Sequence, residues 1–538
     1  MYFYKNLNST MRLKLILSSL LLIVLFNACR KDFVFQPSEG GLEFSKDTIY
    51  FDTVFTNIGS STYTLKVYNR SNNDIKIPMI RFGKGINSKY RMTVDGMVGN
   101  NNRIFEGVEL LANDSMFIFI ETTVDIAEAN PETFLYTDFI EFQNVKTETQ
   151  KVELVTLIKD AYFLFPQRNQ EGIYESIPLG EDQIYGFFLD ENDPDNGNEL
   201  IWTNEKPYVI YGYAAVPPNK TLQIQPGARI HCHFNSGIIA YNNSTIKALG
   251  SPSLNPENPL ENEIIFEGNR LEPGFSDIPG QWNFIWLTQG STNHEFEHVT
   301  IKNASLGLYV TGHTNYNNPN ADVRLRNTQI YNCSNMGILS YTGYLSAENT
   351  VVNNAGLASV SCAYGGKYSF NHCTISNTWP SSQQVALLIS NYTEGFEPLQ
   401  QDLVQANFQN CIIYGNNSIS MFLDRDENAA FNFKFDHSLI RFNNINNQFT
   451  NNPLYQFSTD NERYINCLIA TNSTLNNPRF LDVNNNNFNI NKATSAAVEM
   501  SNSLFSALVP FDLNQQPRPT PPASQADLGA YQAVEVEE

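Results

Sequence analysis

The chain has 538 residues, too many for one ordinary domain, and its 42% hydrophobic and 12% aromatic content is enough to build a large core. The formal charge is −21 at pH 7, and residues 1–28 carry Lys5, Arg12 and Lys14 with no acid, so the remainder is more acidic still. That balance speaks against sequence-independent nucleic-acid binding, which needs a cationic face, and no nucleic-acid partner is expected.

Taken in order, residues 1–28 read as a secretion signal. A basic start is followed by the apolar run Leu15 to Phe26, too short to span a bilayer, and by a small residue, Ala28. The ending Leu25-Phe26-Asn27-Ala28-Cys29 resembles a bacterial lipobox, with Phe26 where Leu is usual. The resemblance implies lipidation at Cys29, so the expected partner is a membrane, held through several acyl chains. No later apolar run is long enough to cross a bilayer.

Residues 29–42 form a short polar tether. From 43 to 160 come alternating strand-like runs, among them Thr48-Ile-Tyr-Phe-Asp52, Tyr63-Thr-Leu-Lys-Val-Tyr68 and Met116-Phe-Ile-Phe-Ile120, separated by turn clusters. Strands this short and dense predict a β-sandwich, similar to the immunoglobulin-like modules of many bacterial surface proteins. Residues 161–215 read as an acidic connector together with the N-cap of a solenoid. Its Asp190–Glu199 loop is rich in oxygen ligands, which leaves Ca²⁺ open as a cofactor. The loop lacks the ordered ligand register of an EF-hand, so a solvated loop with no metal is the expectation.

From 216 to 531 the chain reads as a right-handed parallel β-helix. Thr221-Leu-Gln-Ile224 and, after Pro226-Gly227, Ala228-Arg-Ile-His-Cys-His-Phe234 open it. Strand alternation puts Ala228, Ile230, Cys232 and Phe234 inside and points His231 and His233 outward; two histidines alone make a weak metal site. Between 296 and 471 one eight-residue phrase returns seven times, as in Phe296-Glu-His298-Val299-Thr-Ile301-Lys-Asn303 and Leu325-Arg-Asn327-Thr328-Gln-Ile330-Tyr-Asn332. Copies begin at 296, 325, 347, 370, 408, 435 and 464, a spacing that marks a solenoid. The sixth position is always Ile or Val and the fourth is small or medium, so in strands they stack as core columns. The third position is always His or Asn: a corner hydrogen bond recurs on every rung, whereas one active site needs only one or two such residues. Asn303, Asn332, Asn354 and Asn377 follow the strand, where a turn needs φ > 0 and stacked amides can bond rung to rung.

Six cysteines follow Cys29: Cys232, Cys333, Cys362, Cys373, Cys411 and Cys467. An even number in an exported chain points to disulfides, but three of them fall in the fourth column, which suits small buried core residues. Residues 532–538 are an acidic tail.

The phrases Ile224-Gln-Pro-Gly227, Gly268-Asn-Arg-Leu-Glu272, Pro279-Gly-Gln-Trp282 and Ile301-Lys-Asn303, with the ending from Phe480 through Arg518 to Tyr531, resemble an uncharacterised family of Bacteroidota β-helix lipoproteins of pectate-lyase-like fold. This chain departs from that family's usual pattern at Asn269, Asn283 and Phe284. The resemblance implies fold and an outer-membrane location facing the cell surface, and it carries no established activity.

Parallel β-helices commonly handle polysaccharides, an analogy at fold level. The best carboxylate cluster is Asp424-Arg425-Asp426-Glu427, with Asp436 and Arg441 one rung later; paired acids suit glycosidic acid/base chemistry, and an acidic loop tip is the plainer reading. The longest insertion, 378–406, holds Trp379, Tyr392 and Phe396, rings that stack on sugars or merely cover the solenoid. Trp282 and Trp286 are similar candidates, and Arg270 and Glu272 stand beside them as polar ones. Three readings remain: a non-catalytic surface scaffold binding glycan or protein, a polysaccharide lyase or glycoside hydrolase, and a structural subunit of an outer-membrane protein assembly.

Overall fold

The computed structural model describes residues 33–146, 148–253, 255–313, 315–393, 399–458, 462–522 and 524–536. The leader with Cys29, and Phe396, lie outside the described residues. The chain is all-β apart from short helical turns and divides into two compact units, one through Lys159 and one from Asp160.

The first unit holds two sheets around one core. In the four-stranded sheet, Ser115–Thr122 lies between Tyr63–Tyr68 and Tyr90–Val94. Its alternation sends Met116, Ile118 and Ile120 inward and leaves Phe117 and Phe119 outside. Facing it, a six-stranded sheet supplies Ile77, Ile80, Phe82, Ile140, Val152 and Leu154 to the same apolar cluster. Burial of one face of each sheet is what period-two patterning produces.

The second unit is a solenoid of parallel strands in which the chain visits three long sheets in rotation. The first face has eleven strands, from Tyr162–Leu164 to Leu468–Ala470. The second has ten, from Ser176–Leu179 to Met421–Asp424, and the third has ten, from Ile201–Trp202 to Tyr464–Ile465. Parallel pairing therefore starts at Tyr162, inside the stretch expected to be connector. The repeated phrase is the end of a third-face strand, a corner, and a first-face strand. Its sixth column packs in the interior, with Ile301, Ile330, Val352, Ile375, Ile413 and Ile440 fully buried and Ile469 partly so. Beside it the first column stacks as rings: Phe370, Phe408, Phe435 and Tyr464 follow one another at centroid distances of 4.9, 4.8 and 5.5 Å.

The His/Asn column is a left-handed corner, with φ of 49° at His298, 47° at Asn327, 46° at Asn349, 51° at His372, 53° at Asn410, 47° at His437 and 48° at Asn466. These residue types tolerate that region, and their side chains use it to reach the neighbouring rung rather than the corner backbone expected from sequence. Asn327 Nδ2 donates to His298 Nε2 at 3.1 Å and Asn349 Nδ2 to Asn327 Oδ1 at 3.0 Å. Asn410 Nδ2 donates to His372 Nε2 at 3.0 Å. At the opposite end of the first-face strands, Asn332 Nδ2 donates to Asn303 Oδ1 at 2.6 Å and Asn354 Nδ2 to Asn332 Oδ1 at 3.0 Å.

Two placements differ from alternation. The strand Arg229–Cys232 ends before Phe234, which sits in the corner and is 64% exposed. His231 is 2% exposed, not outward, with Nδ1 3.2 Å from the Gly268 carbonyl oxygen and 3.6 Å from Glu267. All six cysteines are free thiols, five buried and Cys467 half-buried, and burial pushes the Cys333 thiol up to about 12.

After Ala470 the chain leaves the ladders and folds back over the outside of the first face. Phe488, Ala530 and Tyr531 pack on Val351, and Ile490, Ala497 and Leu528 pack on Ile412, Leu439 and Ala470. Arg518, buried in this strap, donates through Nη2 to Asn349 Oδ1 at 2.7 Å, and His372 Nε2 lies 2.9 Å from Ser506 Oγ.

A candidate ligand-binding face

The three faces of the solenoid present different outer surfaces. The first is covered by the strap over its later rungs, Gln329 to Ala470. The third is lined by a polar column, Gln223, Lys247, Glu295, Arg324, Ser346, Ser369, Asn407 and Lys434 in register, with Lys247 and Arg324 both paired to Glu295. The second face carries apolar and aromatic side chains on its outside and is where ring faces are offered.

Alternation builds that surface. In Ile285–Leu287, Leu306–Thr311 and Met336–Tyr341 the core takes Ile285, Leu287, Leu308, Val310 and Ile338, leaving Trp286, Tyr309, Leu339 and Tyr341 on the outside. Register aligns Trp286, Tyr309, Leu339, Ser361, Leu388 and Phe422 in one column, a run of roughly 24 Å at the spacing of neighbouring strands. Trp286 and Tyr309 stack at 5.3 Å and 19°, and Tyr341 meets Tyr309 edge-on at 6.2 Å. Phe284 stands edge-on to Trp286 at 6.1 Å, and the Trp286 indole donates to Thr311 Oγ1 at 2.9 Å. These contacts fix the rings before any ligand arrives, which lowers the entropy cost of using them. At the far end Tyr392 donates its hydroxyl to Asp424 Oδ2 at 2.7 Å, so the aromatic run ends in a polar group.

Trp286, Tyr392 and Asp424 thus share one face, although they lie far apart in sequence. Other candidates fall elsewhere. Trp282 is 0% exposed, its indole donating to the Lys302 carbonyl at 2.9 Å; it is a core residue and offers no ring face. Trp379 is half-buried in the loop after Thr374–Asn377, its backbone N–H donating to Asn377 Oδ1. Arg270 and Glu272 pair with each other at 2.7 Å, the guanidinium lying 3.9 Å over Phe275.

The carboxylates do not converge. Asp424 ends a second-face strand, Asp436 ends the third-face strand Phe431–Asp436, and Arg441 ends the first-face strand Leu439–Arg441. Asp436 is buried and bound to His437 Nδ1 at 2.7 Å; Asp426 accepts from the Asn428 backbone, which holds its carboxyl below the usual range. In the 190–199 loop, Asp193 Oδ1 accepts from the backbone of Asp195 and Asn196, and Asp190 Oδ1 from that of Asn192. Those oxygens serve the turn. Among the described residues no group of three or more His, Cys, Asp or Glu side chains is placed to hold a metal ion.

Tyr309, Leu339 and Tyr341 lie outside the repeated phrase, at varying distances from it, so the phrase does not mark them. The alternation within Leu306–Thr311 and Met336–Tyr341 was the available signal.

No protein-family profile matches the chain, and no curated protein does. Among solved structures, XylC with xylose is 9% identical, covers 94% of this chain and 92% of its own, and superposes with a TM-score of 0.30. The catalytic unit of a GH87 α-1,3-glucanase from Streptomyces thermodiastaticus is 11% identical over 70% of this chain and 84% of its own, at 0.25. A PapD-like domain of human CEP192 is 16% identical over 25% of this chain and 95% of its own, at 0.15. Likenesses at these scores are too weak to carry an argument about function.

Proposed function

We propose that this chain is a lipid-anchored scaffold of the outer-membrane surface that binds polysaccharide along its aromatic face without turning it over. In this reading Cys29 carries the anchor, the first unit is an immunoglobulin-like spacer, and the solenoid is a right-handed parallel β-helix, the hand that parallel crossovers almost always take. The observation that carries the reading is the pre-stacked Trp286–Tyr309–Tyr341 run, whose rings stay part-exposed on the second face. Flat ring faces with hydroxyl and indole handles suit saccharide rings, which present apolar C–H faces and polar edges. Acid/base catalysis draws no support from the dispersed carboxylates.

The test is a glycan-array screen of the chain without its first 29 residues, with product analysis on every hit. Binding without cleavage, lost in Trp286→Ala and Tyr309→Ala while thermal melts stay close to the parent, is the expected result. Cleaved product would transfer the case to the hydrolase or lyase reading. Co-purification with membrane proteins and no glycan hit would favour the assembly subunit. For the anchor, Cys29→Ala should release the protein from the membrane fraction; unchanged fractionation and acyl labelling would remove that part.

A further inference from the structure

The first rungs of the solenoid carry a second aromatic site, apart from the second-face run. A cleft of about 580 Å³ opens there between Phe165, Arg168, Tyr174, Tyr185 and Tyr211. Phe165 is 45% exposed, Tyr174 44% and Tyr185 46%, so three rings stand half bare around one space. Tyr174 and Tyr185 meet at 5.3 Å and 89°, giving the cleft two walls at a right angle.

A tight turn delivers the cation. Asn169 Oδ1 accepts from the backbone of Glu171 and Ile173, and an antiparallel bridge sets Arg168 opposite Tyr174. The guanidinium then lies 4.2 Å over the Tyr174 ring, with Nη2 donating to its hydroxyl at 2.6 Å. Those contacts use one edge of the fork. Among the described residues no carboxylate forms an ion pair with Arg168, although acids outnumber bases in this chain 55 to 34. A positioned guanidinium without an acid, beside bare ring faces, matches a ligand with a flat apolar side and a carboxylate at its edge.

We propose that this cleft binds a uronic acid unit of a polysaccharide, Arg168 taking the carboxylate and Tyr185 and Phe165 the sugar face. The ligand class rests on the saccharide reading of the second face; the site and its residues do not overlap that run.

Isothermal titration of the chain without its first 29 residues, using an oligogalacturonate and its methyl-esterified form, tests this. Esterification removes the charge and keeps the ring. The parent should prefer the acidic probe by at least about tenfold, the scale of one charge-assisted hydrogen bond. Arg168→Gln should erase that preference, Tyr185→Ala should weaken both probes, and Trp286→Ala should leave the preference intact. Arg168 is exposed, so thermal melts of its variant should match the parent. Equal affinity of the parent for the two probes, no binding of the acidic probe, or a preference that survives Arg168→Gln would overturn the cleft. Glycan hits that depend on Trp286 but not on Arg168 would leave the aromatic face standing without it. Loss through Arg168 and Tyr185 alone would do the reverse.

Discussion

The first and second faces of the solenoid are made the same way and end differently. Both put apolar side chains on the outside: Val351, Ile412 and Leu439 on the first, Trp286, Leu339, Leu388 and Phe422 on the second. The first face is covered over its later rungs, Gln329 to Ala470, by the described residues after 470, which bring Phe488, Ile490 and Tyr531 down onto it and anchor them with Arg518 and Gly529. On the second, Ile177, Leu179 and Ile184 cover the first rungs, and Trp286, Tyr309 and Tyr341 beyond them stay part-exposed. An outward apolar column on a strand therefore says only that something covers it. Whether that something is the chain itself or a partner depends on what the rest of the sequence supplies, and a large uncovered run marks an interaction surface.

The comparison can be broken hardest at the strap. Arg518 is buried with Asp512 and Asp527, its charge held by Asn349 Oδ1 and the Gly529 carbonyl. Arg518→Met leaves both acids without their cation and should cost about 3–5 kcal/mol in denaturant unfolding. A loss below about 1 kcal/mol would mean that the strap is not an integral part of the fold.

Next in size is the interior both faces share. Ile375→Ala should cost about 2–5 kcal/mol, and Ile375→Asp should prevent folding. A cost below about 0.5 kcal/mol, the range of surface substitutions, would undo the column assignment.

The corner residues sharpen the contrast, because the strap covers some of them. His372 is fully buried, accepting at Nε2 from Asn410 and facing the Gly529 carbonyl with Nδ1 at 3.3 Å. His372→Leu strands those partners and should cost about 1–3 kcal/mol. His298, outside the strap's grip, only accepts from Asn327, so His298→Asn should change stability by about 0.5 kcal/mol or less. The same pair predicts a pH effect. Burial, and then the Arg518 charge, holds the His372 pKa well below the usual 6.5. The folded state thus keeps the neutral ring while the unfolded state takes a proton below about 6.5, so this contribution is present above that pH and lost on acidification. Desolvation raises Asp512 and Asp527, which act with the opposite sign. Comparing His372→Asn with the parent cancels them: between pH 7 and 5 the parent should lose more stability than the variant. Parallel curves would show that His372 does not report the strap.

The smallest stability effect belongs to the open face. Phe422→Ser and Leu388→Ser should each move stability by about 0.5 kcal/mol or less. A larger loss would show that part of this face is packed, and the distinction between the two faces would fail.

Much of this was legible in residues. The Ile column, the His/Asn corner and the small fourth position recur on every rung, and a solenoid repeats its local constraints with its period; that the corner is left-handed came from the structure. Interaction of each rung with the next is enough to fix them, so Ile375 or Asn327 could be assigned from the phrase alone. The dispersal of Asp424, Asp436 and Arg441 over three faces came from the winding of the chain, which proximity in sequence conceals. Trp282 and Trp286, four residues apart, show the limit: one is core and the other surface. A short corner lies between Trp282 and the strand that begins at Ile285, so strand alternation cannot be carried across from one to the other. The strap was the other thing only tertiary structure decided. Its contacts join residues more than a hundred positions apart, as His372 with Gly529, and no local pattern encodes which of three equivalent faces it will choose. That choice determines which apolar column becomes core and which stays part-exposed.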